Sequence, residues 1–239
     1  MTITKKPQRL NLDVVFVSDA KTNDHLLLTL DSVGTLLASD NNIDFNVAIV
    51  ENRDILYEEM FNHIEGNVRT VHYGFNFNYN KCLNLGASKL NADHILFCNN
   101  DLIFHRDSIR RLFKGFGSFR SVSPYCNLSH PTRIYNNPTK SGNVLKAGYQ
   151  IGGRVAGWCI GMERSLFDEI GGFDEDVDFH YSDNIYADQI KHIGVEHALV
   201  CNAFVDHLGS KTLKDHGNVH SLTSAQKRKY NLAKQKYAS

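Results

Sequence analysis

Asn99, Asn100 and Asp101 directly follow the apolar run His94–Cys98 in the sequence. Carboxylate and amide oxygens at such a position suit Mg²⁺ or Mn²⁺, which take one or two carboxylates and keep other coordination positions for water or substrate phosphates. Asn-Asn-Asp is also a favourable turn sequence. From this triplet alone, a metal site and a plain turn both stay open.

The segments around the triplet alternate between strand-like and helix-like patterns. Four short apolar, β-branched runs predict strands, at Leu12–Ser18, Phe45–Val50, Val68–Tyr73 and His94–Cys98. Helical patterns predict helices between them, at Thr22–Ala38 (with Thr22 or Asn23 as N-cap), Asp54–His63 and Asn78–Leu90. This alternation predicts an α/β fold, with a mainly parallel, Rossmann-like sheet covered by helices on both faces.

Ligands of such open sheets bind beyond the carboxyl ends of the strands. In this chain, polar residues occupy all four of those ends: Ser18-Asp19, Glu51-Asn52, the loop Gly74–Asn80, and Asn99–Asp101. We therefore predict a binding site along this edge of the sheet.

The second half of the chain is less regular. Pro124–Gln150 is rich in Asn, Ser, Pro and Gly and predicts a long surface loop. Further elements are predicted as helices at Ser165–Ile170 and Asp183–Ile193, a strand at Ala198–Val205 that ends at Asp206-His207, and a helix in the tail Ser221–Ser239. Trp158 is the only tryptophan. Its ring is suited to stacking on a sugar or base, and equally to core packing.

Composition excludes several classes of protein. The 239 residues include 26 basic and 26 acidic side chains, so overall charge announces neither a nucleic-acid nor a membrane partner. No apolar run approaches the roughly 20 residues that span a bilayer, and we expect no transmembrane segment. The polar start Met1–Asn11 is not followed by the apolar region of a signal peptide, so we expect no signal peptide and a cytoplasmic location, either free or peripheral to a membrane. The five cysteines are irregularly spaced, which fits neither a disulfide framework nor a zinc knuckle, and three of them lie in or beside apolar segments, as buried free thiols do.

Four local patterns together resemble the inverting family 2 glycosyltransferases, which have the GT-A fold. They are VAIVEN at Val47–Asn52, GFNFNYNKCLNLGA at Gly74–Ala87, ADHILFCNND at Ala92–Asp101, and the segment from Gly157 to Gly194 that contains RSLFDEIGGFDED. Their order and spacing agree with the family over roughly Leu12 to Ser210. The resemblance implies a GT-A-like domain at residues 1–210, with a donor half at about 12–101, an acceptor half at about 102–210, and a basic helical tail at 211–239.

The resemblance also implies roles for single residues. Asp101 would bind Mn²⁺ or Mg²⁺, with Asn99 close by and His207 as a further ligand. Asp183 would be the catalytic base of an inverting transfer from a nucleotide sugar, a UDP-sugar by preference. The remaining positions would line the donor or the acceptor. On the donor side these are Ser18, Asp19, Glu51, Asn52, Asn80, Asn99 and Asn100, and on the acceptor side Trp158, Phe173 and Asp174.

The chain departs from the family pattern at several of these positions. Glu51 stands where the family has Asp, and Ser182 stands where it often has Glu, so Asp183 is the one carboxylate left as base. Asp183 is also a favourable helix N-cap. His207 is one of 12 histidines, and a single histidine is usually not a metal ligand.

The acceptor stays open at this point. A glycan, a lipid-linked sugar and a hydroxylated DNA base all fit a small glycosyltransferase with a basic tail. The tail lysines suit either anionic phospholipid or nucleic acid, or form a solvated helix face. Lys211, Lys214, Lys227, Arg228, Lys229, Lys234 and Lys236 make this end basic.

Two other functions also compete with the glycosyltransferase interpretation. A nucleotidyltransferase should have a glycine-rich phosphate loop after the first strand, and Ser18–Asn23 contains no glycine. A non-catalytic nucleotide-sugar-binding protein would bind the donor without turnover.

Overall fold

A computed structural model describes residues 9–63, 66–128, 145–209 and 219–238 of the chain. The strands are β1 Leu10–Val17, β2 Ile43–Glu51, β3 Asn67–His72, β4 His94–Asn99, β5 Leu102–Phe104, β6 Ser121–Tyr125, β7 Leu145–Ala147, β8 Cys159–Glu163 and β9 His197–His207. The helices are α1 Asn23–Ser39, α2 Tyr57–Met60, α3 Tyr79–Ala87, α4 Ser108–Phe113, α5 Arg164–Glu169, α6 Ser182–His192 and α7 Val219–Ala233.

The nine strands form one sheet in the order β3-β2-β1-β4-β8-β6-β9-β5, with β7 paired to β9. β1 to β4 are mutually parallel, as the strand–helix alternation predicts. β8 runs antiparallel to both β4 and β6, whereas β6 and β9 are parallel. The predicted mainly parallel α/β sheet is confirmed, with antiparallel pairs in its second half.

Helices cover both faces of the sheet, because alternate residues of each central strand point to opposite sides. On one face, Val14 and Phe16 of β1 pack with the buried residues of α1 and α4. On the other face, Val15 and Val17 pack with those of α3, α5 and α6. The sandwich is therefore built from strands that are apolar on both faces.

Local sequence explains where the long helices begin. The Thr22 side chain accepts a hydrogen bond from His25 N–H, and Asn78 accepts one from Lys81 N–H, so both are N-caps. Gly86 lets α3 approach the sheet closely, because a Cβ there would lie 2.5 Å from Val15 Cγ1.

Several predicted elements differ in the structure. The helix predicted at Asp54–His63 is only the single turn Tyr57–Met60 in the structure. The Glu58 side chain accepts hydrogen bonds from both N–H and Oγ1 of Thr70, and Tyr57 N–H donates to Thr70 Oγ1, which ties this turn to β3. β6 and β7 occupy the two ends of the predicted loop Pro124–Gln150, and residues 129–144 lie outside the described residues.

All five cysteines are free and buried, which was predicted for three of them. In the described part of the chain, no helix has the length and apolar character needed to cross a membrane.

Candidate functional site

The pairing of β5 with β9 brings His207 beside Asp101. Leu102 and His207 are register partners in this antiparallel pair, and Leu208 N–H donates to the Asp101 carbonyl at 3.0 Å. His207 Nε2 consequently lies 3.4 Å from Asp101 Oδ1. Two residues far apart in sequence therefore meet at the carboxyl edge of the sheet.

The Asp101 carboxylate is suited to a cation. Its residue is only 2% exposed, and neither carboxylate oxygen accepts a hydrogen bond. Buried polar atoms are nearly always satisfied, so two such oxygens beside an imidazole fit a divalent ion. Within the described ranges, no group of three His, Cys, Asp or Glu side chains could hold a metal ion. Among the described residues, Asp101 and His207 are therefore the candidate ligands at this point, and substrate or water would supply the others.

Trp158 packs against this pair. Its ring is parallel to that of His207, with centroids 5.4 Å apart and an interplanar angle of 15°. The Trp158 carbonyl accepts a hydrogen bond from Asn99 N–H at 2.9 Å. At 8% exposure, Trp158 is buried against the histidine. Its predicted role in stacking on an acceptor stays a prediction.

Asp183 lies in the first turn of α6. Burial raises the pKa of its carboxyl, although hydrogen bonds from backbone N–H groups and the nearby His180 oppose this effect. Tyr181, two residues before Asp183, has a left-handed backbone with φ 72°. Such a conformation costs a non-glycine residue about 1–3 kcal/mol and persists only where surrounding contacts impose it. The start of α6 is therefore held in a specific, strained geometry.

Gly157 and Trp158 connect Asp183 to the Asp101–His207 pair. A Cβ at Gly157 would lie 2.6 Å from Asp183 Cβ and 2.9 Å from its Oδ2, so only glycine leaves room for this carboxylate. The next residue is the tryptophan that stacks on His207. Consecutive Cα atoms are about 3.8 Å apart, which makes the two halves of the site neighbours.

Tyr79 is a site residue that sequence reasoning missed. Its hydroxyl donates to Asn99 Oδ1 at 2.7 Å. Burial raises its pKa, and the Asp101 and Asp183 carboxylates add to the shift. Tyr79 is therefore within electrostatic reach of both the metal candidate and the base candidate. Asn99 Oδ1 accepts this hydrogen bond from Tyr79, and no contact in this geometry supports Asn99 as a metal ligand. The predicted contact of Asn99 with a metal therefore stays a prediction.

The Glu51 carboxylate is fully buried and bound by the protein itself. Oε1 accepts from the N–H groups of Asn52 and Arg53. Oε2 accepts from Ala20 N–H and from the Tyr57 hydroxyl. Glu51 thus ties the ends of β1 and β2 together, and direct contact with a base or ribose stays a prediction. Asn52, by contrast, is exposed at the end of β2.

Asp19 is the carboxylate that follows β1 at this edge, and its side chain is half-buried. Its backbone is left-handed, with φ 50°, and its Oδ2 lies 3.4 Å from Lys21 Nζ. Burial, together with the charge of Asp19, raises the pKa of Tyr73 above its ordinary range. Asp19 and Tyr73 therefore lie close together at the predicted nucleoside end of the edge.

Three other predicted donor residues have hydrogen bonds within the protein. Ser18 Oγ pairs with Thr29 Oγ1 at 3.1 Å, and Asn100 Nδ2 donates to that same Thr29 oxygen, also at 3.1 Å. Asn80 Nδ2 donates to the Asp174 carbonyl at 2.8 Å. All three side chains are buried. In this geometry the three side chains bind other groups of the protein and support the residues that line the site.

The predicted acceptor residues Phe173 and Asp174 are both covered. Phe173 is 3% exposed and packs edge-on against Phe97, with centroids 4.7 Å apart. Asp174 is 8% exposed, and its carboxylate accepts hydrogen bonds from Lys236 and Tyr237. The aromatic core and the C-terminal residues cover these two side chains, and their predicted role at the acceptor side stays a prediction.

Comparisons with known proteins identify the fold. No family model and no curated protein matches the sequence. Among solved structures, the chain is similar to GalNAc-T7 with UDP, GalNAc and Mn²⁺, with a TM-score of 0.63 and 14% identity over 83% of this chain and 43% of that one. It is also similar to the mannosyltransferase PcManGT from Pyrobaculum calidifontis with GDP-Man and Mn²⁺, with a TM-score of 0.61 and 14% identity over 84% and 57%.

A third similar structure is S. aureus TarS 1-349, with a TM-score of 0.58 and 10% identity over 81% of this chain and 58% of that one. The chain therefore has a GT-A-like glycosyltransferase fold. It spans only about half the length of these structures.

Proposed function

We propose that the protein transfers a sugar from a nucleoside-diphosphate donor to an acceptor hydroxyl. One observation carries this proposal. Gly157 and Trp158 join a buried Asp101–His207 pair, whose carboxylate oxygens accept no hydrogen bond, to the buried carboxylate of Asp183. A cation site next to a carboxylate base is the combination that such a transfer needs.

Asp101 and His207 are the residues that would hold the divalent cation. A bound cation would neutralise the charge that develops on the leaving nucleoside diphosphate. The imidazole nitrogen of His207 favours Mn²⁺ over Mg²⁺, because Mg²⁺ is bound almost entirely by oxygen. The two solved structures with Mn²⁺ also contain UDP or GDP-Man, which supports a nucleotide-sugar donor here.

Asp183 is the proposed base. Its carboxylate would take the proton of the acceptor hydroxyl while that oxygen bonds to the anomeric carbon. The bond from that carbon to the donor phosphate oxygen breaks in the same step, and the nucleoside diphosphate leaves with the bonding electrons. One displacement from the opposite side inverts the anomeric configuration. The raised pKa of Asp183 brings its basicity closer to that needed for proton uptake near neutral pH.

The donor would lie along the carboxyl edge from Asp19 towards Asp101. Asp19, with Tyr73 beside it, would contact the base and ribose of a UDP-sugar, the preferred donor. Glu51 would act through the backbone of Asn52 and Arg53, which its carboxylate holds in place. A glycan or a lipid-linked sugar is the proposed acceptor, with a hydroxylated DNA base as a further candidate.

A donor panel tests this proposal. Thermal stability and donor hydrolysis are measured with UDP- and GDP-sugars, each with Mn²⁺, Mg²⁺ or EDTA. We expect one donor to stabilise the protein only with metal. Asp101→Ala should lose that stabilisation, whereas Asp183→Asn should retain it and lose turnover.

Asp206→Asn is the matched control. Asp206 precedes His207 on β9 and pairs with the exposed His105 at 2.7 Å, so its side chain points to the other face of the strand. This variant should behave like the wild type. Donor binding without any turnover would instead favour a nucleotide-sugar-binding protein, and no binding of any donor would refute the proposal.

A further inference from the structure

The C-terminal residues fold back over the segment that carries Asp183. We use the name C-terminal strap for residues 226–237, which include the end of α7 and the 3-10 turn Lys234–Tyr237. Ala233 of the strap is 2% exposed and forms a small apolar cluster with Val177 and Ile185. The strap is therefore packed against the body of the protein.

Tyr230 contacts α6 at two points, one on either side of Asp183. Its ring stacks on that of Tyr181, with centroids 5.2 Å apart and an interplanar angle of 7°. Its hydroxyl donates to Asp188 Oδ2 at 2.9 Å. Burial, together with the Asp188 and Asp183 carboxylates, raises the pKa of Tyr230 to about 12, which places it within electrostatic reach of the candidate base.

Basic residues of the strap neutralise the acidic segment before α6. Lys236 Nζ lies 2.9 Å from Asp174 Oδ2 and 2.7 Å from Asp176 Oδ2. Lys229 pairs with Asp178, which also accepts a hydrogen bond from Gln226. Lys229 and Lys236, which from the sequence suit contacts with phospholipid or nucleic acid, thus bind aspartates of the same chain.

Tyr230 contacts the start of α6 and does not provide the main attachment of this helix to the protein. The other face of the helix is anchored in the main core, where Tyr186 and Ile190 are fully buried. Tyr181, the residue before α6, has a left-handed backbone. Its carbonyl accepts the hydrogen bond from Ile185 N–H that closes the first turn of the helix. A ring stacked flat on Tyr181 restrains this turn, which contains Asp183.

We infer that Tyr230 is a positioning residue, through which the C-terminal strap orients the Asp183 carboxylate at the acceptor side of the site. This inference rests on the proposed function. It makes the strap part of the working enzyme, since the acceptor segment and the base helix are both held by residues from the end of the chain.

Two substitutions separate the contacts of Tyr230. Tyr230→Phe keeps the stacked ring and loses the hydrogen bond to Asp188, whereas Tyr230→Leu loses the stack as well. Leu232→Ala is the matched control, because Leu232 lies on the same helix with 68% of its surface exposed. Each variant is made in the full chain, and its melting temperature is measured first.

The kinetic arm uses the donor that the panel identifies. We expect Tyr230→Leu to lower kcat by roughly 100-fold, since about 1 Å of misplacement has an effect of this size. Donor Kd should not change, because the donor edge lies on β1, β2 and β4. Tyr230→Phe should retain most of the activity, and Leu232→Ala should retain all of it. Unchanged kcat in Tyr230→Leu would overturn the inference while leaving the proposed function intact.

A second arm needs no turnover. Carboxyl ¹³C NMR follows the titration of Asp183, with its signal assigned by its loss in Asp183→Asn. Tyr79, His180 and Tyr230 are the titratable side chains that interact with Asp183, and only Tyr230 differs between the samples. We expect the pKa of Asp183 to fall towards its ordinary value in Tyr230→Leu, as water reaches the carboxylate. An unchanged titration would overturn the inference even if no donor binds.

Discussion

The rings of Trp158 and His207 stack in parallel, with centroids 5.4 Å apart, next to the buried carboxylate of Asp101. The indole limits the rotation of the imidazole and keeps Nε2 directed at Asp101. Residues that orient a metal ligand commonly change metal affinity by about 10- to 100-fold when they are replaced. We therefore expect Trp158→Leu to weaken Mn²⁺ binding by roughly this factor.

Isothermal titration with Mn²⁺ measures this loss in the absence of any donor. Trp158 is the only tryptophan, so its fluorescence provides a second signal in the wild type, which Mn²⁺ should quench. An unaltered Mn²⁺ affinity in Trp158→Leu would show that the indole does not orient His207.

Metal binding should stabilise the folded chain through Asp101. A ligand present at 100 times its Kd adds about 2.7 kcal/mol to the free energy of unfolding. Each kcal/mol raises the Tm of a protein of this size by about 2–4 °C. We expect this rise with Mn²⁺ in the wild type and its loss in Asp101→Asn, measured by differential scanning calorimetry.

The metal-free Asp101→Asn protein should melt close to the wild type or above it. The Asp101 carboxylate oxygens accept no hydrogen bond from the described residues, so replacing one oxygen with an amide nitrogen breaks no such bond and removes a buried charge. A Tm that falls sharply without metal would mean that the carboxylate itself supports the fold.

Glycine at position 157 makes room for Asp183, the proposed base. Gly157→Ala places a Cβ 2.6 Å from Asp183 Cβ, which forces α6 or the Gly157 backbone to move. A shift of about 1 Å predicts a loss of roughly 100-fold in kcat. Steady-state kinetics with the identified donor measures this loss.

Gly34→Ala is the control for this substitution. Gly34 lies inside α1, and a Cβ there would meet no atom within 4 Å. Alanine stabilises a helix interior by about 1 kcal/mol relative to glycine. The control should melt about 2–4 °C higher and keep full activity. Equal kcat in both alanine variants would contradict the proposed place of Gly157.

Asp183 should lower the stability of the protein at neutral pH. Its pKa is raised by burial, so the folded state binds a proton more readily than the unfolded state. The stability gained from this proton is complete below the ordinary pKa of 3.8 and is lost as the pH rises through the folded-state value. Asp183→Asn, which carries no charge, should therefore melt above the wild type at pH 7.

The difference in Tm between Asp183→Asn and the wild type should shrink as the pH falls towards 3.8, where both side chains are neutral. Calorimetry at pH values from 4 to 8 measures the difference. A constant difference across this range, or a less stable variant at pH 7, would show that Asp183 is ionised without cost in the folded state.

Local sequence was sufficient for much of the donor half. β1, β2 and β4 are largely apolar, and their ends carry the polar residues Asp19, Glu51 and Asp101 where parallel strands place ligand contacts. Thr22, one of the two predicted N-cap candidates, marked the start of α1. These features depend on near neighbours in the chain, so periodicity and capping chemistry reveal them.

The use of each polar side chain depended on partners distant in sequence. Glu51 and Asp174 are both acidic residues of the kind that contact ligands. In the structure, Glu51 binds backbone N–H groups, and Asp174 binds side chains of the C-terminal strap. Burial decides between these roles, because a buried carboxylate must find donors, and the sequence does not say which donors are near. Tyr79 had no local signal that distinguishes it from a core aromatic residue.

What the sequence determined by itself was the parallel half of the sheet, the edge at which a ligand would bind, and the acidic residues at that edge. Only the tertiary structure decided that His207 meets Asp101, that Gly157 and Trp158 join this pair to Asp183, and that the C-terminal strap packs on Asp174 and Tyr181. The physical reason is that short strands such as β5, and a tail whose lysines suit many partners, acquire their register and contacts only when the whole sheet has formed.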